Sequence, residues 1–541
     1  MGRARAVLAL LLMLALVVPL HSAPAAALSS SGRMIIGFLP YWMAGSWDPS
    51  SAHYTDVVFF SAPVRGDGSL DLSRVEQHQQ DIQRIRDQCG CRVHLAVTLF
   101  DKDTADKVLA YHRIELANNI RSAVLSYGFD GVNIDFEFMR DKNKYTGQDN
   151  TDLMIDVLER LKNSGIKVGI DVAGSVETVW RDARLQSYVD YVFLMGYDYH
   201  YAGSKNTGSV SPLESSGISL EWSINKLLQY YPASKIVLGL PLYGYEWPAQ
   251  SCQPGARTEG SGHAETLKYI ENSILPGATQ HWDPTARSPW LSFTSGGTCR
   301  QVWYENATSI AIKADYALQR GLAGFGFWAL GYAQGSPSGE KIDMLVESRR
   351  SPPSIGAVRI SVEGSEITVK LENANFVSSI RLEIPVGSGV QVESYSGGSF
   401  QLARLSAAVQ GGVLIVEANA SEPFPGYGIH GSGVLATITL SGAPSTGNPS
   451  AEAWAHRLDA NGGTMSVEAS IGEVSLEHPG GGGGGGSGPG GHHGGSWGIT
   501  YTPPVSPTNR APFLGAGMTG LAAIIAAIAV AVFLMILKFV F

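Results

Sequence analysis

Eight short apolar segments recur between residues 34 and 332, and the stretches between them have the length and patterning of helices. Strands that are apolar on both faces are typical of a parallel sheet covered by other elements. Eight such strands alternating with helices predict an α/β fold, a (β/α)8 TIM barrel, over residues 33–350. The predicted strands lie within 34–42, 54–62, 91–100, 129–138, 167–174, 189–200, 235–247 and 321–332.

The chain changes character after the barrel. Residues 351–353, Ser-Pro-Pro, break the pattern, and residues 355–478 then alternate apolar and polar positions between Gly/Ser turns. This alternation predicts a C-terminal β-sandwich. Residues 479–511 are rich in Gly, Pro and Ser and are predicted to be a flexible linker.

Both ends of the chain have the composition of membrane-directed segments. Two arginines, an apolar run and A-x-A patterns within residues 1–27 predict a secretory signal peptide. Residues 512–537 include a long uncharged run and predict one transmembrane helix. We therefore expect a cell-surface, single-pass membrane protein with its catalytic domain outside. A processed lipid-anchor or sorting signal remains the alternative for the second segment.

The connection after the seventh predicted strand is much longer than an ordinary barrel loop, and residues 248–305 form a small insertion. It contains Cys252 and Cys299, which we expect to form a disulfide. Cys89 and Cys91 are separated by one residue, so a strained local disulfide and two free thiols both remain open.

Charge limits the classes of ligand. The net charge is −9, and no long Lys/Arg run is present in the sequence, which argues against nucleic acid as a partner. A neutral ligand fits this balance better. The His and Cys residues do not have the spacing of a metal site, so no metal or cofactor is predicted.

The fourth predicted strand carries the residues with chemical potential. Asn133, Asp135 and Glu137 share one side of the strand, while the residues between them are apolar. The polar row must face the barrel interior and rise towards the C-terminal mouth, where barrel enzymes carry their active sites. Buried polar side chains are unfavourable unless they bond one another, which favours a functional reason for this row.

The segment DGVNIDFE, residues 130–137, resembles the DGxDxDxE signature of glycoside hydrolase family 18, the chitinases and their relatives. The resemblance extends to Met195-Gly196-Tyr197-Asp198 at the end of the sixth strand, to residues 239–244 in the seventh and to Trp328 in the eighth. It covers about residues 33–345 and is strongest towards bacterial members, including spore-cortex and LysM-linked hydrolases.

The resemblance implies a substrate-assisted mechanism in which the N-acetyl oxygen of the sugar attacks its own anomeric carbon. Glu137 would be the general acid and then the base. Asp135 would orient the acetamido group and stabilise its positive charge, and Tyr197 would hold the acetamido oxygen. Burial beside a second carboxylate is expected to keep Glu137 protonated at working pH.

The remaining candidate residues bind the sugar. The resemblance assigns Asp198 and Trp328 to the same sugar, with Trp328 as its apolar floor, and places Asn133 and Met195 in the same site. Since sugars present flat C–H faces to aromatic rings, Trp42 and Trp247 are further candidate platforms.

Two positions depart from the family pattern. Asn133 stands where chitinases usually have Asp, and Phe38 lacks a hydroxyl that many chitinases place beneath the aspartates. In the usual site one inner aspartate donates a proton to the other, whereas an Asn amide donates permanently. Our hypothesis is that Asn133 keeps Asp135 ionised and, by removing one acidic charge, weakens the upward shift of the Glu137 pKa.

The β-sandwich resembles a cohesin-type domain, chiefly through residues 431–440 and 458–462. Such modules bind dockerin-type partners, but a rigid stalk that lifts the barrel from the membrane is the alternative.

These features together predict a surface-anchored retaining glycosidase that hydrolyses β-1,4 bonds next to N-acetylglucosamine in chitin or a chitin-like polymer. A peptidoglycan or N-glycan-core N-acetylglucosaminidase is the alternative within the enzyme class. A catalytically silent carbohydrate-binding or scaffolding protein is the alternative outside it, and the presence of Glu137 argues against that alternative.

Overall fold

Eight parallel strands close into a barrel in the computed structural model, which describes residues 32–50, 53–422, 424–477 and 499–500. The predicted barrel is confirmed. The barrel strands are β1 (Met34–Pro40), β2 (Asp56–Pro63), β3 (Arg92–Leu99), β4 (Gly131–Phe136), β5 (Lys167–Ala173), β6 (Tyr191–Met195), β7 (Ile236–Pro241) and β13 (Gly324–Trp328). The barrel closes where β13 pairs with β1, and the five strands between β7 and β13 in the chain belong to the insertion.

Helices cover the outside of the barrel because each longer one carries an apolar stripe. In the helix Asn150–Asn163, Leu153, Val157 and Leu161 recur every four residues and are buried. The helices are α1 (Tyr41–Ala44), α2 (Ser73–Gln77), α3 (Gln79–Cys89), α4 (Lys102–Tyr111), α5 (Arg113–Ser126), α6 (Asn150–Asn163), α7 (Leu220–Leu227), α8 (Leu267–Tyr269), α9 (Ala307–Gln319) and α10 (Pro337–Arg350). Shorter helical turns span Thr178–Trp180, Ala183–Ser187, Ala233–Lys235, Ile270–Ile274 and Leu275–Gly277.

The apolar run predicted as one seventh strand is divided between two sheets. Strand β7 ends at Pro241, and Tyr243–Ala249 form β8 in the sheet of the insertion. The backbone turns between them at Leu242, whose N–H donates to the carbonyl of Trp328 at 2.7 Å. The insertion therefore begins at Tyr243, earlier than the predicted 248–305.

The insertion is a five-stranded antiparallel sheet with the order β10-β11-β12-β8-β9. Its core is a cluster of Trp247, Trp290 and Trp303, of which the last two stack with ring centroids 5.2 Å apart. Besides β8, its strands are β9 (His263–Thr266), β10 (Thr279–Asp283), β11 (Ser288–Ser295) and β12 (Thr298–Trp303).

Both cysteine pairs form disulfides. Cys252 bonds to Cys299 and ties a loop of the insertion to β12, which confirms the expected pair. Cys89 bonds to Cys91 at the end of α3. Of the two possibilities that the sequence left open, the structure therefore shows the local disulfide and not two free thiols.

The C-terminal region contains two further β-sheets that share one apolar core. One has the order β17-β20-β15-β14-β23, and the other has the order β18-β19-β16-β21-β22. This arrangement agrees with the predicted β-sandwich. Its strands are β14 (Ser354–Glu363), β15 (Glu366–Val377), β16 (Ser379–Pro385), β17 (Val392–Gly397), β18 (Leu402–Gln410), β19 (Val413–Ala420), β20 (Ile429–Leu440), β21 (Ser450–Leu458), β22 (Thr464–Glu468) and β23 (Ser470–Glu477).

The sandwich packs directly on the barrel. Asp315 of α9 receives two hydrogen bonds from the buried Arg349 guanidinium, at 2.8 and 3.0 Å, and a third from the backbone N–H of Leu458 at 2.9 Å. Leu458 and Phe424 of the sandwich also belong to the apolar core of the barrel. The sandwich and the barrel are therefore joined by buried contacts as well as by the polypeptide chain.

The predicted signal peptide (1–27) and transmembrane helix (512–537) lie outside the described residues. So does the predicted linker (479–511), apart from the two-residue strand Ile499–Thr500. Among the helices that the structure describes, none combines the length and the hydropathy needed to span a membrane.

Candidate active site

The polar row of β4 faces the barrel interior, as the alternation predicts. Asn133 and Asp135 are buried in the lumen, while Val132, Ile134 and Phe136 pack in the core between the barrel and its helices. Glu137 directly follows the strand, with its backbone N–H donating to the carbonyl of β3 residue 99 at 3.1 Å. The carboxyl groups at positions 135 and 137 therefore rise towards the C-terminal mouth.

Glu137 has the protonation behaviour of a general acid. It is half-buried, and burial together with the nearby carboxylates of Glu177 and Asp198 raises its pKa to about 7. A carboxyl with that pKa carries its proton in a large share of molecules at neutral pH. The direction of the shift agrees with the expectation for this residue.

Asp135 lies deeper in the lumen. Burial, followed by the charges of Asp171 and Glu137, raises the pKa of Asp135 well above its usual range. Its Oδ1 atom is buried and has no hydrogen-bond partner among the described residues.

Asn133 does not bond to Asp135, which corrects the expectation for this pair. Its Nδ2 donates to Oδ2 of Asp171 on β5 at 2.6 Å, and both side chains are buried. The carboxyl group that Asn133 was expected to remove from the site is present on the neighbouring strand. The hypothesis that Asn133 keeps Asp135 ionised by donating to it is therefore wrong.

Tyr197 and Asp198 follow β6, where Met195 is the last strand residue. Tyr197 and Met195 are half-buried and pack beside the apolar side chains of the lumen. Asp198 has φ 59°, a left-handed conformation that turns its carboxylate towards the insertion. Its Oδ1 accepts hydrogen bonds from the hydroxyls of Tyr243 at 2.5 Å and Tyr245 at 3.1 Å.

Trp328 ends β13 and forms an aromatic floor with two neighbours. Its ring centroid lies 4.7 Å from Phe60 in an edge-to-face arrangement and 6.0 Å from Phe38. A cavity of about 240 Å³ opens between Trp328, Asp198 and the first strands of the insertion. Phe38 thus fills the lumen with an apolar ring at the position where the resemblance expects a hydroxyl.

The two candidate tryptophan platforms differ in exposure. Trp42 is 48% exposed and donates from Nε1 to the hydroxyl of Tyr332, which lines the cavity beside Trp328. Trp247 is fully buried in the insertion, and its Nε1 donates to the carbonyl of Tyr201. The expectation that Trp247 binds sugar is wrong, because its ring packs in the core of the insertion sheet.

Sequence reasoning missed four residues around the mouth. Asp171 ends up beside Asn133, and Glu177 accepts from the backbone N–H of Phe138 at 2.9 Å. Phe100 is the first residue after β3 and Phe138 the second after β4, and both are exposed. Their position in the sequence could have identified all four, because each lies in or just after the C-terminal half of a barrel strand.

Among the described residues, no group of three His, Cys, Asp or Glu side chains is arranged to hold a metal ion. The C-terminal end of the barrel instead carries a half-buried acid, a buried carboxyl pair, a tyrosine and an aromatic floor. Such a site can donate a proton and stabilise a developing positive charge on a ligand.

Comparisons with known proteins agree with this arrangement. The family model described as "Glycosyl hydrolases family 18" matches residues 35–333, more than half of the chain. A Bacillus subtilis (strain 168) protein named as a sporulation-specific glycosylase is 28% identical over 227 residues, 40% of this chain and 51% of that protein. The "Cortical fragment-lytic enzyme" of the same organism is 24% identical over 225 residues, again 40% of this chain and 50% of that protein. The chain thus spans about half the length of these curated relatives.

Solved structures support the fold. The GH18 chitinase from Cycas revoluta in complex with (GlcNAc)3 superposes with a TM-score of 0.52 at 20% identity. The superposition covers 59% of this chain and 100% of that one. At this identity the likeness establishes the barrel architecture.

Proposed function

Because the chain belongs to glycosyl hydrolases family 18, we propose that it is a retaining glycosidase that hydrolyses β-1,4 bonds next to N-acetylglucosamine. Chitin or a chitin-like polymer is the proposed substrate. The observation that carries this proposal is Glu137, a half-buried acid with a pKa of about 7, at the C-terminal end of the strand that also carries Asp135.

In the first step, Glu137 donates its proton to the glycosidic oxygen and the bond to the anomeric carbon breaks. The carbonyl oxygen of the substrate's own acetamido group attacks that carbon, and an oxazolinium ion forms. Asp135 accepts a hydrogen bond from the acetamido N–H and stabilises the positive charge that develops there. The Tyr197 hydroxyl holds the acetamido oxygen in position to attack.

In the second step, water attacks the anomeric carbon from the face that the leaving group vacated. Glu137, now ionised, takes a proton from this water, and the acetamido group is restored. The two inversions give net retention, and Glu137 returns to its protonated form. Trp328 supports the apolar face of the same sugar, and Asp198 contacts its hydroxyl groups.

The test is Glu137→Gln, which keeps the size of the side chain and removes its titratable proton. We expect kcat on acetylated chitin oligosaccharides to fall by about 10²- to 10⁴-fold, the usual contribution of a general acid. Product release measured by chromatography reports the rate.

A matched control is Glu159→Gln, an exposed position on α6. This variant should retain the parental rate. If Glu137→Gln turns over the oligosaccharides as fast as the parent, the assignment of the acid is wrong. If the parent binds acetylated oligosaccharides but cleaves none of chitin, peptidoglycan and N-glycan substrates, the silent carbohydrate-binding alternative is correct.

The names of the two Bacillus relatives refer to sporulation and to cortical fragments. They favour peptidoglycan-type polymers as a second candidate substrate, which also contain N-acetylglucosamine. Parallel digestion of chitin oligomers, peptidoglycan fragments and a glycoprotein with an N-glycan core distinguishes the three substrates by their products.

We also propose that the protein is exported and held at the cell surface, on the composition of residues 1–27 and 512–537. A dockerin-type partner of the cohesin-like sandwich remains a prediction from the resemblance of residues 431–440 and 458–462. Fractionation of cells and a pull-down with the intact exported chain test these two proposals.

A further inference from the structure

Three side chains in the barrel lumen each carry a buried oxygen atom that lacks a hydrogen-bond partner among the described residues. They are Oδ1 of Asn133, Oδ1 of Asp135 and Oδ1 of Asp171. Buried acceptors without donors are strongly unfavourable. A protonated carboxyl group would supply a donor to this group of oxygens, and the hydroxyl of Tyr191, which is also buried without a partner, is a second possible donor.

The two carboxyl groups lie on adjacent strands at neighbouring positions. Ile134 of β4 pairs with Ile170 of β5, so Asp135 and Asp171 are the next residue of each strand. Both point inward, and both are almost fully buried. Beneath them, the ring of Tyr191 fills the space over Gly169, where a Cβ would lie 2.1 Å from the ring.

Asn133 determines which oxygen of Asp171 is available. Its Nδ2 donates to Oδ2 of Asp171 at 2.6 Å, so that oxygen acts as an acceptor. The remaining oxygen, Oδ1, is the one that can hold a proton and donate it. In the carboxyl form, Asp171 is thus oriented by the amide of Asn133 and has its donor free for the lumen.

We propose that Asp171 is a positioning residue of the catalytic reaction, which shares one proton with Asp135 so that the pair carries a single negative charge. The second carboxyl group of the lumen then comes from Asp171 on β5, because β4 has the amide of Asn133 at the corresponding position. This inference rests on the proposed function, in which Asp135 must face the acetamido group as an anion.

During the reaction the shared proton resides on Asp171 while positive charge develops on the acetamido group. Asp135 is then the ionised member and accepts from the acetamido N–H. When the site is empty, the proton can return to Asp135. The pair therefore holds one proton throughout, and only the carboxyl group that carries this proton changes. No proton is taken from or released to solvent by the pair.

The electrostatic surroundings agree with a single charge on the pair. Burial raises the pKa of both carboxyl groups well above the usual range, and the charge of Asp171 raises that of Asp135 further. The Asn133 amide acts in the opposite direction on Asp171, since it stabilises the anion. The titratable groups that face the pair from neighbouring elements are Glu137, Glu177, Tyr191 and Tyr197.

The first test is Asp171→Asn, an isosteric change that removes the titratable carboxyl. We expect kcat on acetylated chitin oligosaccharides to fall by about tenfold to a hundredfold, with KM changed much less, because the lost group acts on charge development rather than on sugar contact. The pH profile of kcat should change shape as well. An unchanged kcat and an unchanged profile would overturn the proposal.

The second test moves the carboxyl back to β4 in the double variant Asn133→Asp/Asp171→Asn. The two side chains exchange their chemistry and keep their combined volume, so we expect kcat to recover to within about threefold of the parent. A double variant no more active than Asp171→Asn would show that Asp171 acts only through packing and would contradict the proposal.

A third measurement does not depend on activity. A carboxyl whose folded-state pKa is raised contributes stability that is present below its unfolded pKa of about 4 and lost as pH rises through the folded value. Asp171→Asn should therefore flatten the fall of the melting temperature above pH 4, whether or not the parent cleaves chitin. If the melting temperature of Asp171→Asn falls with pH as steeply as that of the parent, the shared proton is contradicted. If the variant shows the flatter fall but the parent does not cleave chitin, only the proposed function is contradicted.

Discussion

At the residue scale, the acidic side chains of the site differ in burial and therefore in the pH at which they titrate. Glu137 remains partly open at the mouth and titrates near neutrality, while Asp135 and Asp171 are enclosed in the lumen. Glu177 lies near Glu137 and is itself held by the backbone N–H of Phe138. The pKa of Glu137, the proposed general acid, is therefore set by burial first and by its neighbours second.

Glu177→Gln should move the alkaline limb of the kcat/KM profile to lower pH. In the proposed mechanism the protonated form of Glu137 starts the reaction, so we expect activity to decline as pH rises through its pKa of about 7. Removing the charge of Glu177 makes ionisation of Glu137 easier, which lowers that pKa, and we expect a shift of about half a pH unit or more. Glutamine keeps the oxygen that accepts from Phe138. A limb that stays in place or moves upward in a pH–rate profile would contradict this assignment.

At the element scale, the barrel could be predicted because its signal is local. Eight apolar runs alternate with helical stretches, and the alternation in β4 already places Asn133 and Asp135 inside. The division of the seventh run could not be predicted, since the apolar residues on both sides of Leu242 serve two different sheets. The prediction for Trp247 was wrong because the sequence does not distinguish a buried tryptophan from an exposed one that could bind sugar.

The partner of Asn133 was also beyond reach of the sequence. A single strand shows which side chains share a face, whereas the contact with Asp171 depends on the register between β4 and β5. The family resemblance drew attention to a missing carboxyl at position 133 and could not indicate that an adjacent strand carries one. Side-chain pairs between strands are thus the part of this site that required the structure.

At the scale of the whole molecule, a buried polar contact joins the sandwich to the barrel. Asp315 of α9 and Arg349 of α10 form an almost fully buried ion pair on the barrel side of this contact. Asp315 accepts from the backbone N–H of Leu458, and Arg349 donates to the carbonyl of Pro425, both in the sandwich. Gln319, also on α9, donates to the carbonyl of Leu458 at 2.8 Å. This geometry favours a sandwich held in a fixed orientation on the outer wall of the barrel.

Asp315→Ala should destabilise the folded chain by about 3–5 kcal/mol, because it leaves a buried guanidinium without its counter-ion. Chemical denaturation monitored by tryptophan fluorescence measures this change in the free energy of unfolding. The matched control is Asp152→Ala, which removes one of the two carboxylates paired with exposed Arg184 and should have a much smaller effect. Equal losses in the two variants would mean that the buried pair stabilises the fold no more than an exposed pair does.

The origin of the nucleophile is the central question about this protein. The most direct measurement compares hydrolysis of a chitin oligosaccharide with that of the same oligosaccharide after complete removal of its N-acetyl groups, at equal binding saturation. Attack by the sugar's own acetamido oxygen predicts that the second compound is cleaved at least about a thousandfold more slowly, since the internal nucleophile is gone. Comparable rates for the two compounds would contradict the account.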